Sequence, residues 1–376
     1  MPDDLKLLRE LTALPTAAFL EDEVLAHVDA WAKRRKNLKV ETDRFGNRLI
    51  STKGKGPRMV FVAHADHPAF MSNETVDGVL HAEFRGGVLA ECCVPGTKVR
   101  FGEVVAAVIK AEADDKKRLV GATFKLPRGT RVAPGIPGNF DFGRMPSKVR
   151  GKRLVARACD DLAGLAACLE SLDRVRSRAK APVAVLVTRA EEVGFIGAIA
   201  AVKQKTKGLL RKDDRIISIE TSAAQPAAPM GEGCVLRVGD KTSVFHSGLT
   251  DFLHRRCQAL AEKDKTFKFN RALMPGGTCE ATAFDAFGHI AAAACVPLAS
   301  YHNMDREKKR MAAEEIDLND WRSLVKLLAD AGLHSAEFDG KPTALQKSMT
   351  DRFNQHVRLF AKPHLSIRGE AGPGAD

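Results

Sequence analysis

Five short polar clusters carry the residue types that bind metal ions and move protons. His64-Ala65-Asp66-His67 follows the apolar run Met59-Val60-Phe61-Val62-Ala63. Asp160-Asp161 follows Val155-Ala156-Arg157-Ala158-Cys159, and Glu191-Glu192 follows the run from Val183 to Thr188. Glu220 comes after Ile216 to Ile219, and His302 after the run that ends at Val296. Carboxylates crowded on one edge without counter-charge repel and raise one another's pKa, so such a cluster wants a cation. Two imidazoles with four or five carboxylates suit zinc, cobalt or manganese. Two ions fit best: one carboxylate would bridge them, and a Glu-Glu pair would provide one ligand and one free base for a shared water. Asp66, two residues after His64, is placed to accept that histidine's second ring N–H and fix its orientation. Singly, each residue has a plainer use: a hydrogen-bonded strand-end histidine, a solvated helix start at Glu191-Glu192, a helix N-cap at Asp160-Asp161. Their conjunction in this order points to a metal centre.

An alternation of strands and helices must bring these clusters to one edge. Helical spacing of apolar residues predicts helices over 3–13 and 19–35, followed by a hairpin from Leu38-Lys39-Val40-Glu41-Thr42 to Leu49-Ile50 and a strand over 59–63. From 154 onward the pattern predicts helices at 161–176, 195–206, 248–263, 280–287 and 317–331, interleaved with strands at 183–188, 215–219, 267–273 and 289–296. This is an α/β class, a mixed sheet with helices on both faces, and ligands gather at the carboxyl ends of strands in such sheets. Between 74 and 150 the texture changes to short Val-rich runs punctuated by glycine and proline, which predicts an inserted β-rich domain, a small barrel. The expected division is 1–73 and 151–335 as two parts of one catalytic domain, 74–150 as the insert, and 336–376 as a C-terminal extension, loosely ordered beyond about 360.

Composition narrows the function classes. The 376 residues are 44% hydrophobic and 28% charged, an ordinary globular balance that excludes a disordered or fibrous chain. No apolar stretch approaches the roughly 20 residues of a membrane-spanning helix. The net charge of +12 comes from scattered Lys and Arg without interleaved aromatics, and Tyr occurs once and Trp twice. A stacking platform for bases is absent, so neither nucleic acid nor membrane is an expected partner. Eight cysteines without a CxxC pair read as reduced, buried thiols. Met1-Pro2-Asp3-Asp4-Leu5 has no basic segment leading into an apolar run, and a cytoplasmic location is the expectation.

The motifs together resemble the co-catalytic metallopeptidases with a zinc-peptidase core, most closely the M42 glutamyl aminopeptidase/cellulase-like family that includes tetrahedral aminopeptidases, with M20 and M28 as related families. The resemblance rests on Ala63-His64-Ala65-Asp66, on Gly151-Lys152 and the run Ala158-Cys159-Asp160-Asp161-Leu162-Ala163-Gly164, and on Glu191-Glu192-Val193-Gly194-Phe195-Ile196-Gly197-Ala198. Gly276-Gly277-Thr278 and Tyr301-His302 complete it. The steps between successive polar residues, 96 from His64 to Asp160, then 32 to Glu192, 28 to Glu220 and 82 to His302, put the extra domain between the first ligand and the aspartate. The M42 type has it there, whereas the M20 type has it before the final histidine.

The resemblance implies that His64 and Glu220 bind one metal and Glu192 and His302 the other, with Asp160 as bridge and a cis Asp160-Asp161 bond. Glu191 would be the general base acting on a metal-bridged water, and Asp66 would orient His64. It further implies two divalent ions per chain (zinc or cobalt, or manganese), small peptide substrates cleaved at the N-terminus, and homo-oligomers from dimer up to dodecamer assembled through the insert. His67, Gly277 and Thr278 are substrate-pocket candidates. This chain departs from the family with His67-Pro68-Ala69 after His-x-Asp, with Glu220 where the family has Asp, and with Cys279-Glu280 after Gly-Gly-Thr. Two other readings stay open: an M20-type deacylase acting on acylated amino acids, and a catalytically silent scaffold.

Overall fold

A strand covered on both faces needs an unbroken apolar run, and in Met59–His64 and Val183–Thr188 every residue is buried. The computed structural model describes residues 5–143, 147–204, 208–340 and 343–358, and it sets these two strands side by side and parallel within an 11-stranded sheet. The order across the sheet is Leu38–Thr42, Arg48–Thr52, Val183–Thr188, Met59–His64, Arg215–Ala223, Ile290–Ala299, Glu314–Asp317, Arg153–Ala156 and Ser147–Arg150. Cys234–Asp240 pairs with Ile290–Ala299 and with Phe269–Met274. Four neighbours, from Val183–Thr188 to Ile290–Ala299, run parallel, so their carboxyl ends open on one edge.

Helices cover both faces. Leu162–Val175 and Leu318–Leu333 pack Leu165, Leu169, Leu324 and Leu328 into the larger core, while Ile196–Lys203 and Glu280–Ala286 bring small residues, Ala198, Ala201 and Ala281, with Phe284 to the opposite face. The predicted α/β class is the observed one. Among the described residues no helix is long and apolar enough to cross a membrane.

Several boundaries differ from the sequence expectation for physical reasons. The strand expected at 215–219 continues to Ala223, because its ladder with Ile290–Ala299 runs on from Glu220 opposite Cys295 to Ala223 opposite Leu298. Cys234–Asp240 was not expected as a strand at all, since Arg237 interrupts its apolar run; the ladder to Ile290–Ala299 makes it one. The first helix is Lys6–Leu11 and the fourth is Ile196–Lys203. A helix, Thr343–His356, lies in the C-terminal extension; the end beyond about 360 lies outside the described residues.

The Val-rich stretch forms a closed six-stranded barrel, from Ala69–Val76 to Pro137–Phe140. Its interior is aromatic: Phe70 meets Phe84 and Phe124 edge-on at centroid distances of 4.8 and 5.0 Å. Gly138 has to be glycine, because a Cβ there would overlap the Phe101 ring. The barrel's first strand begins five residues after His64, and Ser147–Arg150 pairs in the large sheet.

One buried ion pair staples the amino end of the central strand. Arg58 donates to both carboxylate oxygens of Asp214, at 2.9 and 2.5 Å, and to the Leu209 carbonyl at 2.7 Å. Removing one partner of such a pair strands the other charge, so Arg58→Met should lower unfolding free energy by about 3–5 kcal/mol. Denaturant titration of the two proteins checks this; an unchanged midpoint would contradict it.

Candidate metal centre

The parallel strands deliver their terminal residues to one edge. His64 ends its strand in register with Thr188, Glu191 and Glu192 follow Thr188 within four residues, and Glu220 lies opposite Cys295. His302 comes three residues past Ala299, while Asp160 sits in the turn that leads into Leu162–Val175. His64, Asp160, Glu191, Glu220 and His302 are buried and Glu192 is half-buried.

Asp160 stands between the two imidazoles. Its Oδ1 lies 3.6 Å from His64 Nε2 and its Oδ2 3.4 Å from His302 Nε2. Glu192 Oε2 is 3.3 Å from His302 Nε2, and Glu191 Oε2 is 3.9 Å from His64 Nε2. Donor atoms lie within 4.8 Å of one another in three sets: His64, Asp160 and Glu220; Asp160, Glu192 and His302; and His64, Glu191 and Glu192. Ligands at about 2.0–2.2 Å from a tetrahedral ion are themselves about 3.3–3.6 Å apart, which is the spacing found around both histidines.

The donor set also passes a chemical test. Asp160 Oδ1, Glu192 Oε1 and Glu220 Oε1 are buried without a hydrogen-bond partner, and such oxygens are costly unless a cation or donor meets them. Burial, followed by neighbouring carboxylate charge, pushes Glu192 well above the carboxylate range. Burial raises Glu191 too, against the His64 charge, and pushes Glu220 up to about 8. Asp160 goes the other way: burial opposes its ionisation, but hydrogen bonds from His302 and His64 hold it ionised. A divalent cation suits this mixture of oxygens and imidazole nitrogens.

Neighbouring groups orient the ligands. His302 has φ +54° between Ser300 and Asn303, which are also left-handed, and such residues persist only where their surroundings over-determine them. Tyr301 stacks on its ring at 3.7 Å, and the barrel residue Gly87 accepts from Nδ1 through its carbonyl at 2.9 Å. Glu314 Oε2 accepts the N–H groups of Cys159 and Asp160 at 2.6 and 3.0 Å. The Asp160-Asp161 peptide is cis. Asp66 is 3.5 Å from His64 Nδ1 through Oδ1, whereas its carbonyl oxygen is nearer at 3.2 Å. The Asp66 carboxylate instead accepts the N–H groups of Glu191 and Glu192.

The pocket candidates fall elsewhere. His67 is buried behind the cluster, Nδ1 2.6 Å from the Asp160 carbonyl and Nε2 3.0 Å from Asn303 Oδ1, and burial lowers its pKa to about 4. Gly277 and Thr278 form a turn tied to Lys241 and Thr242. Glu280, two residues on, is fully buried with both carboxylate oxygens unpartnered, and burial raises it to about 7 against the His64 charge. The Cys279-Glu280 departure marked the place but gave Glu280 no role. Glu314 carried no sequence signal, since it reaches the site through the backbone N–H groups of Cys159 and Asp160, far along the chain. A separate cavity of about 830 Å³ beside Arg157, Asn139 and Ser300 contains none of the six ligand-type residues.

A family model described as M42 glutamyl aminopeptidase matches residues 132–318. A curated protein of Acetivibrio thermocellus, provisionally called an aminopeptidase, is 22% identical over 346 residues, covering 88% of this chain and 98% of its own length. Among solved structures, an aminopeptidase of Desulfurococcus kamchatkensis superposes with a TM-score of 0.71 at 21% identity, over 88% of this chain and 94% of that one. The Pyrococcus horikoshii TET1 peptidase, described as assembling into a tetrahedron or a large octahedral shell, gives 0.68 at 22% identity, over 88% and 99%. At these identities the structures establish the shared fold.

Proposed function

Since the chain belongs to the M42 peptidase family and is a hydrolase, we propose that it is an aminopeptidase with a two-metal centre that removes N-terminal residues from small peptides. The observation that carries this reading is the sharing of Asp160 between two donor triads, one oxygen toward each histidine. His64, Glu220 and Asp160 would hold one ion, and Glu192, His302 and Asp160 the other. Zinc, cobalt or manganese bound there would polarise the scissile carbonyl and make an attacking water more acidic.

The chain's own residues do the rest. Glu191, beside His64 and not needed as a ligand in either triad, takes the proton of the attacking water and delivers it to the leaving amine. Asp66 and Glu314 hold the peptide groups of Glu191, Glu192 and Asp160, so the ligands meet the reacting carbonyl without rearrangement. His67 is proposed to support the Asp160 backbone from behind the cluster rather than to meet substrate or bind metal, while Gly277 and Thr278 are proposed as margin residues of the substrate pocket.

The barrel is proposed as the assembly domain, by likeness to the shell-forming TET1 peptidase. It also touches the centre, since Gly87 accepts from His302. Metal analysis should return about two ions per chain, and an aminoacyl-p-nitroanilide panel should be hydrolysed while its N-acetylated counterparts are not. Release of acetate from N-acetylated amino acids, with no p-nitroaniline released from the aminoacyl panel, would favour a deacylase, and no metal under any loading condition would leave the scaffold reading.

A further inference from the structure

Three successive peptide N–H groups at the Glu191-Glu192 turn end on carboxylate oxygens. Ala190 donates to Glu21 Oε1 at 2.9 Å, Glu191 to Asp66 Oδ1 at 2.9 Å and Glu192 to Asp66 Oδ2 at 3.0 Å. Ala190 has φ +53°, a left-handed conformation that a residue with a Cβ keeps only when its neighbours enforce it. Asp66 belongs to the His64 segment. Glu21 comes from a different element, the loop between helices Lys6–Leu11 and Asp22–Lys33.

Glu21 is itself rigidly held. It is fully buried, its Oε1 also accepts the Phe19 N–H at 2.8 Å, and its Oε2 accepts from Arg189 Nε at 2.7 Å. Arg189 in turn donates to the carbonyls of Phe45 and Phe19. The same loop is tied to its surroundings on both sides: Thr16 Oγ1 donates to the Ala65 carbonyl at 2.7 Å, and the barrel residue Asn139 bonds both N–H and C=O of Thr16. A carboxylate with this many fixed partners can hold a strained turn in place.

We propose that Glu21 is a positioning residue of the centre, fixing the peptide that carries Glu191 and Glu192 and thereby aiming the base and one ligand together. The proposal rests on the reading of those two residues given above. Glu21 contacts neither metal nor substrate and acts only through the Ala190 peptide. Because its carboxylate is shared between that peptide and Arg189, reach matters as much as charge.

The test compares Glu21→Asp, which keeps the charge but withdraws it by one methylene, with Glu21→Gln, which keeps an acceptor oxygen at full reach. A displacement of about 1 Å at a reacting group costs about 100-fold. Glu21→Asp should therefore lose about 10- to 100-fold in kcat with KM little changed, and the visible spectrum of its cobalt-loaded form should shift as Glu192 turns. Glu21→Gln, whose one acceptor oxygen still reaches the Ala190 N–H while its NH2 faces Arg189, should lose less in kcat than Glu21→Asp and keep a spectrum nearer the wild type. Wild-type kcat and spectrum in Glu21→Asp would overturn the proposal, as would equal losses in both variants in step with their melting temperatures. Glu21→Ala is the second variant: failure of both it and Glu21→Asp to fold would assign Glu21 to the fold alone. A wild type inactive on every aminoacyl substrate would sink the aminopeptidase reading without touching this one, because the cobalt spectra still decide it.

Discussion

Glu191→Gln is expected to keep its metal and its fold and to lose about 10²- to 10⁴-fold in kcat, the contribution typical of a general base. The substitution is isosteric, so the carboxamide fits where the carboxylate was but cannot take a proton. Glu191 is the member of the Glu-Glu pair whose removal leaves both Asp160 triads complete, which is why metal content should be retained. Its backbone N–H remains on Asp66, so the turn should hold. Steady-state kinetics with metal analysis on the same preparation checks this. Turnover near the wild-type value would remove Glu191 from the reaction, and loss of metal together with activity would make it a ligand instead.

Chelation should abolish hydrolysis and, in addition, make folding stability depend on pH. The second effect follows from the direction of the shifts. Burial raises Glu220 to about 8 and Glu280 to about 7, from an ordinary 4.5. The folded chain then holds protons that the unfolded chain has released, so stability is complete below about pH 4.5 and declines as pH rises through 7 and 8. Divalent metal replaces those protons as the counter-charge, so its stabilising effect should be small at pH 5 and large at pH 8. Thermal melts with and without chelator at the two pH values test this. A chelated protein that melts at the same temperature at both would show that burial does not hold these carboxyls protonated in the folded chain. Activity should return on adding zinc, cobalt or manganese.

The fold and most of the centre were legible in the sequence because both rest on local pattern. Buried parallel strands read as apolar runs, and the residues after such runs in an α/β sheet can face only one edge, so His64, Glu191, Glu192 and His302 could be named from position alone. Glu220 was placed after its strand; pairing with Cys295 extends the strand through it. The strand Cys234–Asp240 was illegible because Arg237 breaks its apolar run, and that residue's burial depends on neighbours from other parts of the sheet.

Sequence by itself determined the residue types that can hold metal, their order, and the α/β frame that gathers them. Tertiary structure alone decided what holds them still. Glu21 and Glu314 look like any other glutamates in sequence, and both accept from backbone N–H groups, which every residue but proline carries and which leave no mark in composition or spacing. Asp66 illustrates the same limit: its position suggested a partner for His64, but its carboxylate closes on the peptides of Glu191 and Glu192. The contacts linking Glu21 to Ala190 and Glu314 to Asp160 span 169 and 154 residues. Distances of that kind are set by how helices and strands pack, because the sheet brings together segments whose separation along the chain says nothing about their separation in space.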